Sequence, residues 1–75
     1  MREKIYRYCK NFSKNLKAER VALGMTQKEV AEKLGIKPQS YQAYENNISM
    51  PTTENLLKLV DLFDLSLDDV FEIKK

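Results

Sequence analysis

Gln39, Ser40 and Gln42 place two amides and a hydroxyl within four residues, with Pro38 ahead of them and Ala43 beside them. These groups donate and accept hydrogen bonds without carrying charge. A helix face so polar, uncharged and short-chained is unusual for a surface that meets only water. Groups suited to covalent or acid–base chemistry are scarce. The chain has no histidine and a single cysteine, Cys9. It has no glycine-rich phosphate loop. Tyr41 and Tyr44 stand three residues apart, the spacing of one helix face, so they read as core and not as paired catalytic phenols. Carboxylates alone do not suggest a zinc cluster. No metal or cofactor is expected. With 75 residues there is little room for a ligand-sized pocket, and an enzyme is not expected.

The elements that position this face must be few. A chain of this length makes one domain with a thin stability margin. A lone thiol cannot form an internal disulfide, and it fits a reducing, cytoplasmic setting. The first ten residues are charged throughout, unlike a signal peptide. The longest apolar run is three residues, too short for a transmembrane helix. Net charge is only +2, but residues 1–40 hold ten basic and four acidic side chains, while residues 41–75 hold three and seven. That asymmetry suits a molecule with a face for nucleic acid.

The pattern is a string of short helices. Ile5, Cys9, Phe12 and Leu16 are spaced by four, three and four. The helix they imply runs from about Glu3 to Leu23, or breaks near Asn11 and Ser13, either of which can cap a fresh start. The favoured span is Phe12 to Ala22, with residues 1–11 a helical or frayed extension. Gly24 ends it. Thr26-Gln27-Lys28-Glu29 is a capping box opening a second helix, with Val30, Ala31 and Leu34 as its apolar stripe and Gly35 as its stop. Pro38 opens a third helix, which Asn46-Asn47 can close by positive φ. After Pro51, Thr52 or Thr53 caps a fourth helix, with Leu56, Leu59, Val60 and Phe63 on one face. Ser66-Leu67-Asp68-Asp69 starts a short fifth helix, and Glu72 to Lys75 reads as a frayed tail. The expected organisation is an extension over 1–11, a domain over 12–72 and a tail over 73–75.

Gln27 to Asn46 is the most informative stretch. Two short helices joined by a tight turn must cross steeply. Ala31 supplies the small residue at the crossing, and Gly35, four residues later, supplies the positive φ. Val30, Leu34, Ile36, Tyr41 and Tyr44 fall on the inner faces. The outer face of the third helix then lies on a convex edge that fits a major groove.

Here the sequence resembles the lambda-repressor/Cro-type helix-turn-helix proteins. Leu16-Lys17-Ala18-Glu19-Arg20, Leu23 to Gln27, Val30 to Ile36 and Tyr44-Glu45-Asn46 carry the resemblance. Pro51, Leu56 to Leu59 and Leu65 to Asp68 complete it, so it covers about Phe12 to Phe71. It implies an all-α, compact five-helix fold whose third helix recognises DNA. It implies that Gln27 and Asn46 bind phosphate, and that Pro38, Gln39 and Ala43 read base edges with Ser40 and Gln42 close by. Gln39 is the foremost reader, because its amide can pair with adenine N6 and N7. Lys28 and Lys37, with Lys10, Lys14 and Lys17, are further candidates for phosphate. The resemblance also implies an ion pair between Arg20 and Glu45.

Three positions depart from the family pattern. Glu19 replaces a residue that is often apolar, and Asn47 one that is usually glycine. Ile48-Ser49-Met50 carries none of the usual basic residues; Ile48 and Met50 either form an apolar contact surface or pack against the fourth helix. The expected partner is a double-stranded operator bound by a homodimer, with repression the commoner outcome in such a family and no membrane involved. The alternative is an antitoxin-like or accessory protein whose main partner is another protein, using the acidic segment from Asp61 to Glu72 or residues 1–11.

Overall fold

In the computed structural model, which describes residues 2–73, five helices follow one another without a strand. They are α1 (Arg2–Ala22), α2 (Gln27–Leu34), α3 (Pro38–Glu45), α4 (Thr53–Phe63) and α5 (Leu67–Phe71). Helix α2 packs on α3 and α4, and α1 packs on α3 and α5. The core forms where they meet, from Phe12, Leu16, Val30, Ala31, Leu34, Tyr41, Tyr44, Leu59, Phe63 and Val70. Ile36 and Leu56 are half-buried against it.

Local chemistry accounts for most boundaries. The Thr26 hydroxyl accepts from the Glu29 amide at 3.0 Å, and the Glu29 carboxylate accepts from the Thr26 amide at 3.0 Å. The bond from the Thr26 amide, with the nearby Thr26 hydroxyl, holds the Glu29 carboxyl below the usual carboxylate range. Gly35 takes φ 74°, and the Ile36 amide reaches back to the Ala31 carbonyl at 3.0 Å. That closes α2 and turns the chain into α3 within three residues. Asn47, at φ 56°, makes the left-handed step after α3, whereas Asn46 remains at negative φ. Thr52 and Ser66 cap α4 and α5 through their hydroxyls.

Helix α1 departs from the favoured expectation by running unbroken through residues 11 and 13. Neither Asn11 nor Ser13 caps a fresh helix. Ser13 is buried. Asn11 Nδ2 donates to the Phe71 carbonyl at 3.2 Å, and Asn15 Nδ2 to the Val70 carbonyl at 3.0 Å. An asparagine that finds an acceptor across the fold no longer competes for its own helix backbone. The bonds also satisfy carbonyls left open at the end of α5. The Phe12 and Phe71 rings stack beside them, centroids 4.9 Å apart. A five-residue helix has little stability of its own, and α1 supplies the surface that holds it.

At the C-terminal end, Glu72, the first residue of the expected frayed stretch, is tied to the domain. Glu72 takes φ 56° and its amide bonds into the last turn of α5. Its carboxylate accepts from Asn15 Nδ2 at 2.9 Å and lies 3.5 Å from Lys14 Nζ. The remainder of that expected tail, residues 74 and 75, lies outside the described residues, as does Met1 of the expected extension.

Two apolar expectations are revised. Ile5 continues the stripe of Cys9, Phe12 and Leu16 in sequence, yet it is 57% exposed. The buried part of α1 begins only at Phe12. Ile48 is 76% exposed, so packing against α4 does not account for it.

Candidate nucleic-acid interface

Helix α3 divides its residues cleanly. Tyr41, Tyr44 and Glu45 are buried, whereas Pro38, Gln39, Ser40 and Gln42 are exposed and Ala43 is half-buried. The two tyrosine rings meet edge to face at 6.1 Å, and Asn55 Nδ2 donates to the Tyr44 hydroxyl at 3.1 Å. This anchoring through aromatic rings fixes the roll of a two-turn helix, so its polar side points outward in one orientation. Pro38 occupies the first turn, where its missing N–H costs nothing.

The end of α3 is locked to the other two helices through Glu45. Arg20 Nε donates to Glu45 Oε2 at 2.6 Å, and Arg20 Nη2 to Glu45 Oε1 at 3.1 Å. Arg20 Nη1 also donates to the Met25 carbonyl at 2.9 Å. The Glu45 side chain is 1% exposed and that of Arg20 12%. Burial pushes the Glu45 carboxyl up, but the hydrogen bonds from Arg20 and Gln27 outweigh it and hold the group below the usual carboxylate range. The hydrogen bond to Glu45 raises the Arg20 value in turn. Burial, with the adjacent carboxylate, raises the Tyr41 phenol well above its ordinary value, which keeps it neutral.

Gln27 Nε2 donates to Glu45 Oε1 at 3.1 Å. The first residue of α2 is therefore tied to the last residue of α3, and both to α1. This bond holds the Gln27 amide in one orientation at the open N-terminal end of α2, beside the exposed Lys28. Sequence reasoning paired Glu45 with Arg20 but missed Gln27 as a third member. The residues are 18 apart, and no local spacing signals their meeting. The Asn55–Tyr44 bond was missed for the same reason.

Asn46 and Lys37 are exposed at the two ends of α3, and Lys28 is exposed on α2. Among the described residues none of these lysines forms an ion pair. The structure thus gathers Gln27, Lys28, the outer side of α3 and Asn46 around the α2–α3 unit. Lys10 and Lys14 lie farther back along α1. No group of three or more His, Cys, Asp or Glu among the described residues could hold a metal ion. The arrangement offers exposed hydrogen-bonding side chains, a helix N-terminus and lysines without an ion pair among the described residues, suited to an extended anionic partner.

Comparison with known proteins agrees with this geometry. The sequence model of the helix-turn-helix family matches residues 16–70. Over 52 residues the chain is 38% identical to the cryptic phage CTXphi transcriptional repressor RstR of Vibrio cholerae, covering 69% of this chain and 46% of that repressor. Over 58 residues it is 43% identical to the HTH-type transcriptional regulator ImmR of Bacillus subtilis, covering 77% of this chain and 46% of that regulator. The uncharacterized HTH-type regulator YqaE of the same organism is 40% identical over 57 residues, 76% of this chain and 49% of YqaE. The chain therefore spans about half the length of the curated relatives it matches. No solved structure matches it significantly.

Proposed function

The chain belongs to the helix-turn-helix family, and from that premise we propose that it binds double-stranded DNA sequence-specifically as a transcriptional regulator, acting as a repressor. The observation that carries this reading is the division of α3, which buries Tyr41 and Tyr44 and presents Pro38, Gln39, Ser40 and Gln42 to solvent. The relatives named as a phage repressor and as regulators support it.

In this reading α3 enters the major groove. Gln39 pairs with adenine N6 and N7. The Ala43 methyl meets a thymine methyl, and Pro38, Ser40 and Gln42 complete the base-reading face. Gln27 and Asn46 hold phosphates on either side, helped by Lys28, Lys37 and the open amides of α2. Phosphate contacts set the register, and base contacts set the sequence. The ion pair of Arg20 with Glu45 takes no part in contact; it keeps Gln27 and α3 in one rigid frame. A homodimer reads two half-sites about one helical turn apart. The protein acts in the cytoplasm, and no helix among the described residues is long and apolar enough to cross a membrane.

Selection from a randomised duplex pool at physiological salt tests the proposal, since low salt would report mainly phosphate attraction. An enriched inverted repeat is the expected result. Retention of no sequence above background would sink the reading and leave a protein partner as the leading alternative.

A further inference from the structure

Helix α1 is longer than the domain it serves. Its 21 residues extend about 31 Å at the usual rise, close to the molecule's longest dimension of 34 Å. Its buried residues are Phe12, Ser13 and Leu16, all in the middle of the helix. Before them Ile5 is 57% and Tyr6 63% exposed. Arg2, Lys4, Arg7 and Lys10 surround these two, against a single acid, Glu3. None of the four cations forms an ion pair among the described residues. The amphipathic pattern therefore continues past the point where the described residues bury it.

The same molecule carries a surface of opposite character. A groove of about 430 Å³ lies between the second half of α1 and α5. Glu19, Asp64, Asp69 and Glu72 line it together with Asn15 and Leu65, and no lysine or arginine does. Lys14 already faces Glu72, whereas Glu19, Asp64 and Asp69 have no ion-pair partner among the described residues. Within its own chain the helix half borders this groove only at Glu72, which also lines a hollow with Lys4 and Arg7; Glu19, Asp64 and Asp69 lie out of its reach, because it is continuous with the remainder of α1.

We propose that residues 2–10 of α1 dock on the acidic groove between α1 and α5 of a second copy, and that the exchange is reciprocal. Each copy gives one helix half and one groove, so a two-fold axis closes the assembly and no open chain grows. Reciprocity also doubles the buried area, which a stable pair needs to bring towards roughly 1,200 Å². Ile5 and Tyr6 supply the apolar part and the opposite charges supply orientation. DNA is the other anionic partner a basic helix could take. Position argues against it: Arg7 lies 13 residues before Arg20, about 20 Å along the axis from the Glu45 cluster. The inference deepens the DNA-binding reading by naming the surface that joins its two half-site readers.

Sedimentation of the full chain over a concentration series, at low and high salt, tests the contact. The expected result is a dimer that weakens as salt screens its exposed charges. Lys4→Glu with Arg7→Glu reverses the helix half, and Glu19→Lys with Asp64→Lys reverses the groove. Each double variant alone should associate at least about tenfold more weakly, the loss expected from several exposed pairs. An equimolar mixture should regain the dimer, because every helix half again meets a groove of opposite sign. A wild-type chain that stays monomeric overturns the proposal. So does a reversed variant that dimerises as tightly as wild type, or a mixture of two helical variants that fails to associate. Binding to a single half-site separates this outcome from the DNA-binding reading. Variants that keep the half-site preference leave that reading intact whatever the sedimentation shows. If Lys4→Glu with Arg7→Glu instead lowers half-site affinity and the salt slope without changing self-association, the helix half serves phosphate and the dimer contact falls.

Discussion

Arg20 and Glu45 meet through two hydrogen bonds, 2.6 and 3.1 Å long, across 25 residues of sequence. The carboxylate is buried and Gln27 also donates to it, so its loss strands a cation and its retention without Arg20 strands an anion. Each of Arg20→Met and Glu45→Gln is expected to cost about 3–5 kcal/mol in urea melts. The double variant should cost less than the sum of the two, because it leaves no unpaired charge. Additive losses would show two independent side chains.

The lowered Glu45 value also sets a pH dependence. A carboxyl whose folded pKa is depressed adds stability that is fully present above its unfolded value, near 4.5. That contribution is lost as pH falls through the folded value. Thermal midpoints measured from neutrality down into acid should therefore fall below about pH 4.5, and Glu45→Gln should show a shallower fall. Parallel acid limbs in both proteins would assign the loss to other carboxyls.

Gln39 and Lys37 test base reading against phosphate binding. Gln39→Ala is expected to cost about 1–3 kcal/mol on the selected sequence and to relax preference at one base position in each half-site. Lys37→Ala should weaken all sequences alike and lower the salt slope by about one. Titrations of matched and mismatched duplexes at several salt concentrations separate the two. A Gln39→Ala variant with unchanged preference would remove it from the reading face.

Gly35 should be replaceable only at a conformational cost. Its φ is 74°, and a Cβ built there meets nothing within 4 Å. Gly35→Ala is thus expected to lose about 1–2 kcal/mol, the penalty of the left-handed backbone alone. Gly35→Asn should lose less, since asparagine tolerates that region. Equal losses for both would point to a steric constraint instead. Because α2 and α3 keep their crossing, the selected DNA sequence should not change.

Much of the fold could be read from neighbouring residues. The Thr26–Glu29 capping box, the stops at Gly24 and Gly35 and the start at Pro38 depend on bonds within a few residues, which sequence spacing specifies directly. The buried sides of α2, α3 and α4 follow from helical periodicity, and that places Gln39 and Gln42 opposite Tyr41 and Tyr44. What only the tertiary structure decided lies at long separation. Asn11 reads locally as a place where α1 can break, but the carbonyl its side chain binds is 60 residues away, and that of Asn15 one turn later binds a carbonyl 55 residues away. Gln27 joins Arg20 and Glu45 because α2 and α3 cross where they do, and no local pattern encodes that crossing. Ile5 follows the same periodicity as Phe12, yet only Phe12 has a neighbour to bury it. Periodicity names the side of a helix that can be covered; packing decides how far along that side the cover extends.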